Sequence, residues 1–247
     1  MITAAANLAL GYGSMVVHAY VQRGLLRQPE VRASLVRQIY FTGVQALPFA
    51  AVVALLFGAV VVTQVLGILG PDNEVALKAV IGGGVRELGP LVTALIIVVR
   101  SSVAIAAEVS VMRLRAGISD ALWNDTVHEQ EVVLPRLLGV AVSAVMLVAY
   151  FQCIAIAAAL LATAFTLGTT LQAELEHFLA AATWWQVPLS LGKGALMGAG
   201  IAVIACHHGL QAEHDVRDIR KAVVSAGVGS LAFVVAVDLF AALLLLA

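Results

Sequence analysis

Charged side chains are scarce in this chain, and the shortage excludes an ordinary soluble domain. Only 12% of its 247 residues are Asp, Glu, Lys or Arg, whereas 62% are hydrophobic. Soluble globular domains carry about 25% charged residues. The composition therefore predicts a membrane protein that crosses the bilayer several times. With a net charge of −1 the chain offers no basic surface for nucleic acid, and we expect no such partner.

Cysteine is rare, and the motifs that bind nucleotides or build catalytic sites are missing. The two cysteines, Cys153 and Cys206, lie far apart in apolar surroundings, so we expect small buried side chains rather than a disulfide. No G-x-x-x-x-G-K-[ST] loop is present, which excludes ATP binding by that route. His207 and His208 end an apolar stretch without further ligands that we can assign. We therefore expect no catalytic residue, no resident cofactor and no metal site in this chain.

Long apolar runs dominate the sequence. A membrane-spanning helix needs about 20 apolar residues, and five stretches meet that need. They predict spans at about 44–69, 79–107, 137–162, 184–206 and 222–247. The expected fold is an all-α membrane protein, with an N-terminal region over 1–43 and a five-span domain over 44–247.

Basic residues are distributed unevenly between the two sides of the predicted bundle. Ten lie on one side, namely Arg23, Arg27, Arg32, Arg37, Arg113, Arg115, Arg136, Arg217, Arg220 and Lys221, whereas the other side has only Lys78. Lys and Arg accumulate in cytoplasmic loops. This predicts a cytoplasmic N-terminus and, after five spans, a C-terminus on the outer side.

Two segments outside the spans show helical spacing of apolar residues. Before span one the apolar positions are Val31, Leu35 and Ile39, which predicts an amphipathic helix in the cytoplasmic interface; a simple basic flank is the alternative. Between spans two and three they are Val111, Leu114, Ile118 and Leu122. This second pattern predicts a short cytoplasmic helix that a partner protein can contact, unless the segment is only a connecting loop.

The second span carries charges where an apolar helix is expected. Arg86, Glu87 and Arg100 lie among Val, Ile, Leu and Ala. An ionisable group in a bilayer costs about 2.5–3.5 kcal/mol on insertion scales unless it is paired or faces a polar cavity. Lys193 in span four and Asp238 in span five are candidate partners. The charges therefore indicate either a polar interior, as in a transporter, or a set of structural ion pairs.

Small residues and a proline mark two further positions. Gly192, Gly194, Gly198 and Gly200 lie in span four at the spacing that lets helix backbones approach closely, either within the chain or at a dimer seam. Pro90 follows Gly89 directly after the charges of span two, which predicts a kinked or broken helix there.

Four stretches of the chain resemble the MlaE family of ABC-transporter permeases. They are VRQIYFTG (36–43), RELGPLVTAL with RSSVAIAAE (86–108), VVLPR (132–136) and the span that contains Lys193; Asp238 also fits. The resemblance extends from about residue 30 to the end of the chain. The sequence departs from the family pattern at two places. After Leu122 it is about one residue shorter than the family pattern, and the loop after span one is also short.

The resemblance implies a specific assembly in the bacterial inner membrane. Such permeases work as homodimers with a cytoplasmic ABC ATPase that binds the ATP, an MCE-domain protein outside and, in many systems, a STAS-domain protein. They move phospholipids through an outward-opening cavity, in the system that maintains outer-membrane lipid asymmetry. Carried over by position, the substrate-binding candidates are Arg86, Glu87 and Lys193. Gln64 in span one is added as a weaker polar liner because of its side chain. The ATPase-coupling candidates are Glu108, Met112, Leu114, Ile118 and Leu122.

Two other functions remain open from the residues alone. One is a secondary transporter in which Arg86, Glu87 and Asp238 relay protons. The other is a membrane scaffold subunit that does not itself transport.

Overall fold

The computed structural model describes residues 28–69, 87–118, 127–181, 185–212 and 216–246. The regular elements in these ranges are all helical, and no strand occurs among them. We number the α-helices α1 (Pro29–Thr42), α2 (Leu47–Leu69), α3 (Gly89–Ile97), α4 (Val103–Ile118), α5 (Val127–Leu167), α6 (Leu171–Ala181), α7 (Gln186–Leu210) and α8 (Val216–Leu246). A short 3₁₀ turn, Val44–Ala46, joins α1 to α2, and a π-helical turn, Val98–Ser102, joins α3 to α4.

Five helices are long and apolar enough to cross a membrane, as the sequence predicts. The first combines α1 with α2, the second combines α3 with α4, and the others are α5, α7 and α8. Helix α5 runs from Val127 to Leu167 and so extends beyond the predicted 137–162 at both ends. Residues 79–86 and 184, at the starts of two predicted spans, lie outside the described residues. The end of the bundle that holds α1, the end of α4 and the starts of α5 and α8 is here called the arginine-rich end.

Helix α1 is a separate element that packs against the start of α5. The chain turns at Gly43, which lies against Ser143 of α5, and continues into α2. Val31 is buried and Leu35 and Ile39 are half-buried, as their shared face predicts. Val36, Tyr40 and Phe41 on the other face are at least half exposed, so apolar residues occur on both faces. The separate helix is confirmed, while its position in the membrane interface stays a prediction.

The glycines of span four serve different neighbours. A Cβ at Gly194 would lie 2.7 Å from Val148 Cγ2, and one at Gly198 would lie 2.6 Å from Ala144 Cβ, both on α5. A Cβ at Gly200 would collide with Phe233 of α8, whereas one at Gly192 would meet nothing within 4 Å. Close packing within the chain therefore accounts for three of the four.

The two cysteines differ in their surroundings. Cys206 of α7 is buried, as expected, but Cys153 of α5 is exposed, so the prediction for that residue is wrong. The physical reason is that the outer surface of a membrane-spanning bundle faces acyl chains. Apolar neighbours in sequence therefore do not distinguish the core of such a bundle from its periphery.

The segment between spans two and three begins as a continuation of span two. Helix α4 runs without interruption to Ile118, and Glu108, Met112 and Leu114 lie on it. Leu122 falls outside the described residues, as does the end of the predicted coupling segment. Within the described part, the coupling candidates therefore belong to the long second spanning helix.

Candidate functional site

Three charged side chains from three helices meet inside the bundle. The Lys193 ammonium of α7 donates a hydrogen bond to Oε2 of Glu87 at 2.5 Å, and it lies 2.6 Å from Oδ1 of Asp238 on α8. The Asp238 contact is electrostatic rather than hydrogen-bonded, because Oδ1 lies close to Nζ but outside hydrogen-bond geometry. We call Glu87, Lys193 and Asp238 the charge triad.

Two members reach the triad from membrane-spanning helices, and the third comes from the turn that precedes one. Lys193 lies seven residues after α7 begins and Asp238 eight residues before α8 ends, which places them about 10–12 Å along their helices at a rise of 1.5 Å per residue. Because α7 and α8 are antiparallel, these two positions come to the same level. Glu87 lies in a π-helical turn immediately before α3.

The start of α3 explains how Glu87 is presented. The α-helix begins at Gly89, with Pro90 in its first turn, where the missing backbone N–H costs no helical hydrogen bond. Both residues are buried. A change of helix geometry beside the charges is therefore present, as the Gly-Pro pair predicts.

The triad is well shielded from solvent but not sealed. The side chains of Lys193, Glu87 and Asp238 are 9%, 22% and 25% exposed, respectively. One ammonium shared by two carboxylates leaves a formal charge of −1 among the three groups. In a low-dielectric interior such a group is stable only while its charges stay paired.

A neutral polar contact lies next to the triad. Nε2 of Gln152 on α5 donates a 2.9 Å hydrogen bond to Oγ of Ser190, and that hydroxyl donates to the carbonyl of Val187. Ser190 lies one helical turn before Lys193. This polar layer links α5 to the same part of α7, so four membrane-spanning helices contribute to it.

A second set of charges lies toward the arginine-rich end. Arg100, in the π-helical turn after α3, donates to the backbone carbonyl of Gln45 and, at 2.7 Å, to its Oε1. Arg136 of α5 pairs with Glu108 of α4 at 3.0 Å and donates to the carbonyl of Val132 at 2.9 Å. Glu108 is thus tied to the start of span three.

The predicted site residues are brought together only in part. Lys193 and Asp238, both named as candidate partners of the charges in span two, lie together with Glu87 in the triad. Gln64 is exposed on α2 and makes no hydrogen bond within the described part of the chain. Arg86 lies outside the described residues, so its predicted role stays a prediction.

Sequence reasoning missed the contacts of Arg100 and Arg136. Each arginine donates to a backbone carbonyl, that of Gln45 or that of Val132, and a backbone acceptor leaves no mark on the residue type. The Glu108–Arg136 pair joins residues of two motifs, AAE and VVLPR, that the sequence had singled out separately. The sequence did contain a signal for the Glu108–Arg136 pair, because these opposite charges flank the connection between spans two and three.

Metal binding finds no support in the described ranges. No three His, Cys, Asp or Glu side chains lie close enough there to hold an ion. The rings of His207 and His208 are 5.6 Å apart, and Nε2 of His207 is 3.0 Å from Nε2 of Gln211.

Comparison with known proteins identifies the family. Residues 35–244 match the model of the family described as Permease MlaE. The chain is 26% identical over 229 residues to a probable ABC transporter permease protein of Rickettsia typhi, covering 91% of this chain and 88% of that protein. It is 27% identical over 210 residues to a probable ABC transporter permease protein of Rickettsia prowazekii, covering 83% and 80%. The family match covers most of the bundle, including all three members of the triad, and the chain therefore belongs to the MlaE permease family.

Proposed function

We propose that this permease moves phospholipids between the bacterial inner membrane and an MCE-domain partner, in the system that maintains outer-membrane lipid asymmetry. Membership of the family makes the chain a multi-pass membrane subunit of an ABC transporter. An ABC permease requires an ATPase partner, and this sequence has no P-loop of its own. To this family assignment we add four proposals: a phospholipid substrate, a homodimer, an MCE-domain partner with a possible STAS-domain partner, and the orientation in the membrane.

The charge triad is the observation that carries the proposal. Three ionisable groups in the interior of a membrane-spanning bundle are costly and mark substrate pathways more often than inert anchors. A phospholipid has an ionic head and apolar tails, so its path needs polar groups set in an apolar wall. The triad provides polar groups of both signs, and Arg86, which directly precedes Glu87 in sequence, adds a candidate for the phosphate.

The orientation that we propose places the arginine-rich end in the cytoplasm, following the excess of Lys and Arg there. The ATPase would then contact the end of the second spanning helix, near Leu114 and Ile118. Movement of that end would be transmitted along one continuous helix, through the π-helical turn at Val98–Ser102, to Glu87. This supplies a mechanical link between ATP hydrolysis and the triad.

The test is lipid transfer by the reconstituted complex. The permease, its ATPase and its MCE partner are placed in vesicles with a fluorescent phospholipid, and ATP-dependent transfer is measured for Lys193→Gln and Lys221→Gln. Lys221 is a matched control, because it is also paired with an aspartate, Asp218 at 3.6 Å, but is 80% exposed at the start of α8. We expect Lys193→Gln to lose transfer and Lys221→Gln to keep it.

The same assay separates the alternatives. Full ATP-dependent transfer by an assembled Lys193→Gln complex would contradict the proposed role of the triad. Flux driven by a pH gradient without ATP would identify a proton-coupled secondary transporter instead. If lipid transfer continues when only this chain is omitted, the chain would be a scaffold subunit.

A further inference from the structure

A polar cavity lies at the arginine-rich end, away from the triad. It has a volume of about 790 Å³. Helix α1, the turn before α2, the second spanning helix and the start of α5 form its walls. Arg100, which lines it, is thirteen residues from Glu87, about 20 Å along a helix. The cavity is therefore distinct from the charge triad, and we call it the arginine cleft.

The cleft has an excess of positive charge. Its lining contains three arginines, Arg37, Arg100 and Arg136, and two glutamates, Glu30 and Glu108. Glu108 is already paired with Arg136. Arg100 is bound only to the neutral oxygens of Gln45, and Arg37 makes no ion pair or hydrogen bond within the described residues. Two guanidinium groups thus lack a carboxylate partner there.

A buried donor in the same cleft also lacks an acceptor. Nε of Arg136 is shielded from solvent and has no hydrogen-bond partner among the described residues, although both terminal nitrogens of this side chain are engaged. Buried polar groups in folded proteins are normally satisfied by protein, water or ligand. This unsatisfied N–H is a second observation, independent of the charge excess, that points to a ligand.

The cleft lies beside one end of a helix that is long enough to cross a bilayer. Helix α2 has 23 residues and is about 35 Å long, enough to cross a hydrocarbon core of about 30 Å. It begins at Leu47, two residues after Gln45, to which Arg100 is bonded. Arg100 is therefore level with the end of the uncharged stretch, where the polar headgroups of a bilayer begin.

The cleft also has apolar side chains in its walls. Phe41, Ile105, Met112 and Val132 contribute to the lining. Val36 and Tyr40 are exposed on the adjoining face of α1, beside Phe41. An anionic group held by guanidinium nitrogens, with hydrocarbon against these side chains, is the chemistry of a phospholipid rather than of a free ion.

We propose that the arginine cleft binds the phosphate of a membrane phospholipid from the leaflet at this end of the bundle. Arg37 and Arg100 hold the phosphate, the N–H at Nε of Arg136 offers it a further donor, and the apolar wall contacts the glycerol and upper acyl chains. This lipid is a bound component at the junction of α1 with the spanning helices, separate from any lipid that reaches the triad. The assignment does not depend on what the protein transports.

Native mass spectrometry of the full-length chain in detergent tests this assignment. The purified protein is titrated with phosphatidylglycerol and, in parallel, with diacylglycerol of the same acyl chains, which lacks the phosphate. Arg37→Gln with Arg100→Gln is compared with Arg217→Gln with Arg220→Gln. The second pair removes the same charge from exposed positions at the start of α8, outside the cleft.

We expect the cleft pair to weaken binding of one phosphatidylglycerol by at least about tenfold, which corresponds to about 1.4 kcal/mol. The exposed pair should leave that binding unchanged, and diacylglycerol should bind weakly to every variant. Arg100→Gln also removes the hydrogen bonds to Gln45. Arg37→Gln alone is therefore the decisive variant, because the Arg37 side chain is exposed and supports no described contact. This single variant should also weaken the binding of phosphatidylglycerol.

Three results would overturn the assignment. Equal losses in the cleft and exposed pairs would mean non-specific attraction to basic residues. Displacement of the lipid by inorganic phosphate at millimolar concentration would identify a soluble anion as the occupant. Unchanged lipid binding, combined with lost co-purification of the ATPase, would make the cleft a protein contact. Loss of transport in Lys193→Gln does not bear on any of these outcomes.

Discussion

The Lys193 ammonium lies 2.6 Å from Oδ1 of Asp238, an ion pair that ties α7 to α8 inside the membrane-spanning bundle. The same ammonium is bonded to Glu87 at the start of the second spanning helix. One cation thus connects three helices, and any movement of the second helix relative to the other two must stretch or exchange one of these contacts.

Replacing Lys193 by Met should destabilise the bundle. Two carboxylates would remain close together without their shared cation, and removal of one partner from a buried ion pair costs about 3 kcal/mol. The thermal midpoint of the detergent-solubilised protein should fall. A combined variant, Glu87→Gln with Lys193→Met and Asp238→Asn, should recover much of the midpoint, since no charge is left unpaired. A midpoint that falls further in the combined variant would contradict this reading.

Arg86→Glu should reduce ATP-dependent phospholipid transfer by at least about tenfold, a loss of about 1.4 kcal/mol of favourable interaction. The change places a negative charge beside Glu87, where the proposed path needs a group that attracts phosphate. Transfer in reconstituted vesicles is the measurement, and Arg217→Glu at an exposed position is the control. Normal transfer by an assembled Arg86→Glu complex would remove Arg86 from the proposed site.

The Glu108–Arg136 pair should respond unequally to loss of its two partners. The Arg136 side chain is 6% exposed and that of Glu108 is 50% exposed. Glu108→Gln leaves a buried guanidinium without its counter-charge, at a cost of about 2 kcal/mol. Arg136→Met leaves a carboxylate that water can solvate, so its effect on the thermal midpoint should be smaller. Equal shifts would show that the pair is not the main support of Arg136.

Gly198→Ala should lower the free energy of unfolding by about 1–3 kcal/mol, the usual cost of overpacking. The new Cβ would lie 2.6 Å from Ala144 Cβ and 3.0 Å from the carbonyl oxygen of Val140, neither of which can rotate away. Gly192→Ala is the matched control on the same helix, because its Cβ meets nothing within 4 Å. That variant should be neutral or slightly stabilising, since Ala favours helix over Gly. The thermal midpoints of the two variants are compared, and a midpoint of Gly198→Ala that is not lower than that of Gly192→Ala would contradict the prediction.

Much of this architecture can be predicted from the sequence, because each spanning helix forms its own backbone hydrogen bonds. A run such as 44–69, apolar and uncharged, must be helical in a bilayer whatever its neighbours are. The start of α3 at Gly89, with Pro90 in its first turn, follows in the same way from local backbone chemistry. Exposure was less predictable, as Cys153 shows, because a residue facing lipid and a residue facing the core have the same polarity.

The residues alone established five membrane-spanning helices, a charged second helix and the resemblance to the MlaE family. The tertiary structure decided which charges meet. Glu87 and Lys193 are 106 residues apart, and their contact depends on how α3 and α7 pack rather than on any local pattern. Packing likewise selected Gly194 and Gly198 for α5 and left Gly192 open, since the rotation of a helix about its axis is set by its neighbours. Local hydrogen bonding and burial in lipid determine each helix independently of the others. The position of Lys193 between two carboxylates, in contrast, exists only once the helices are assembled.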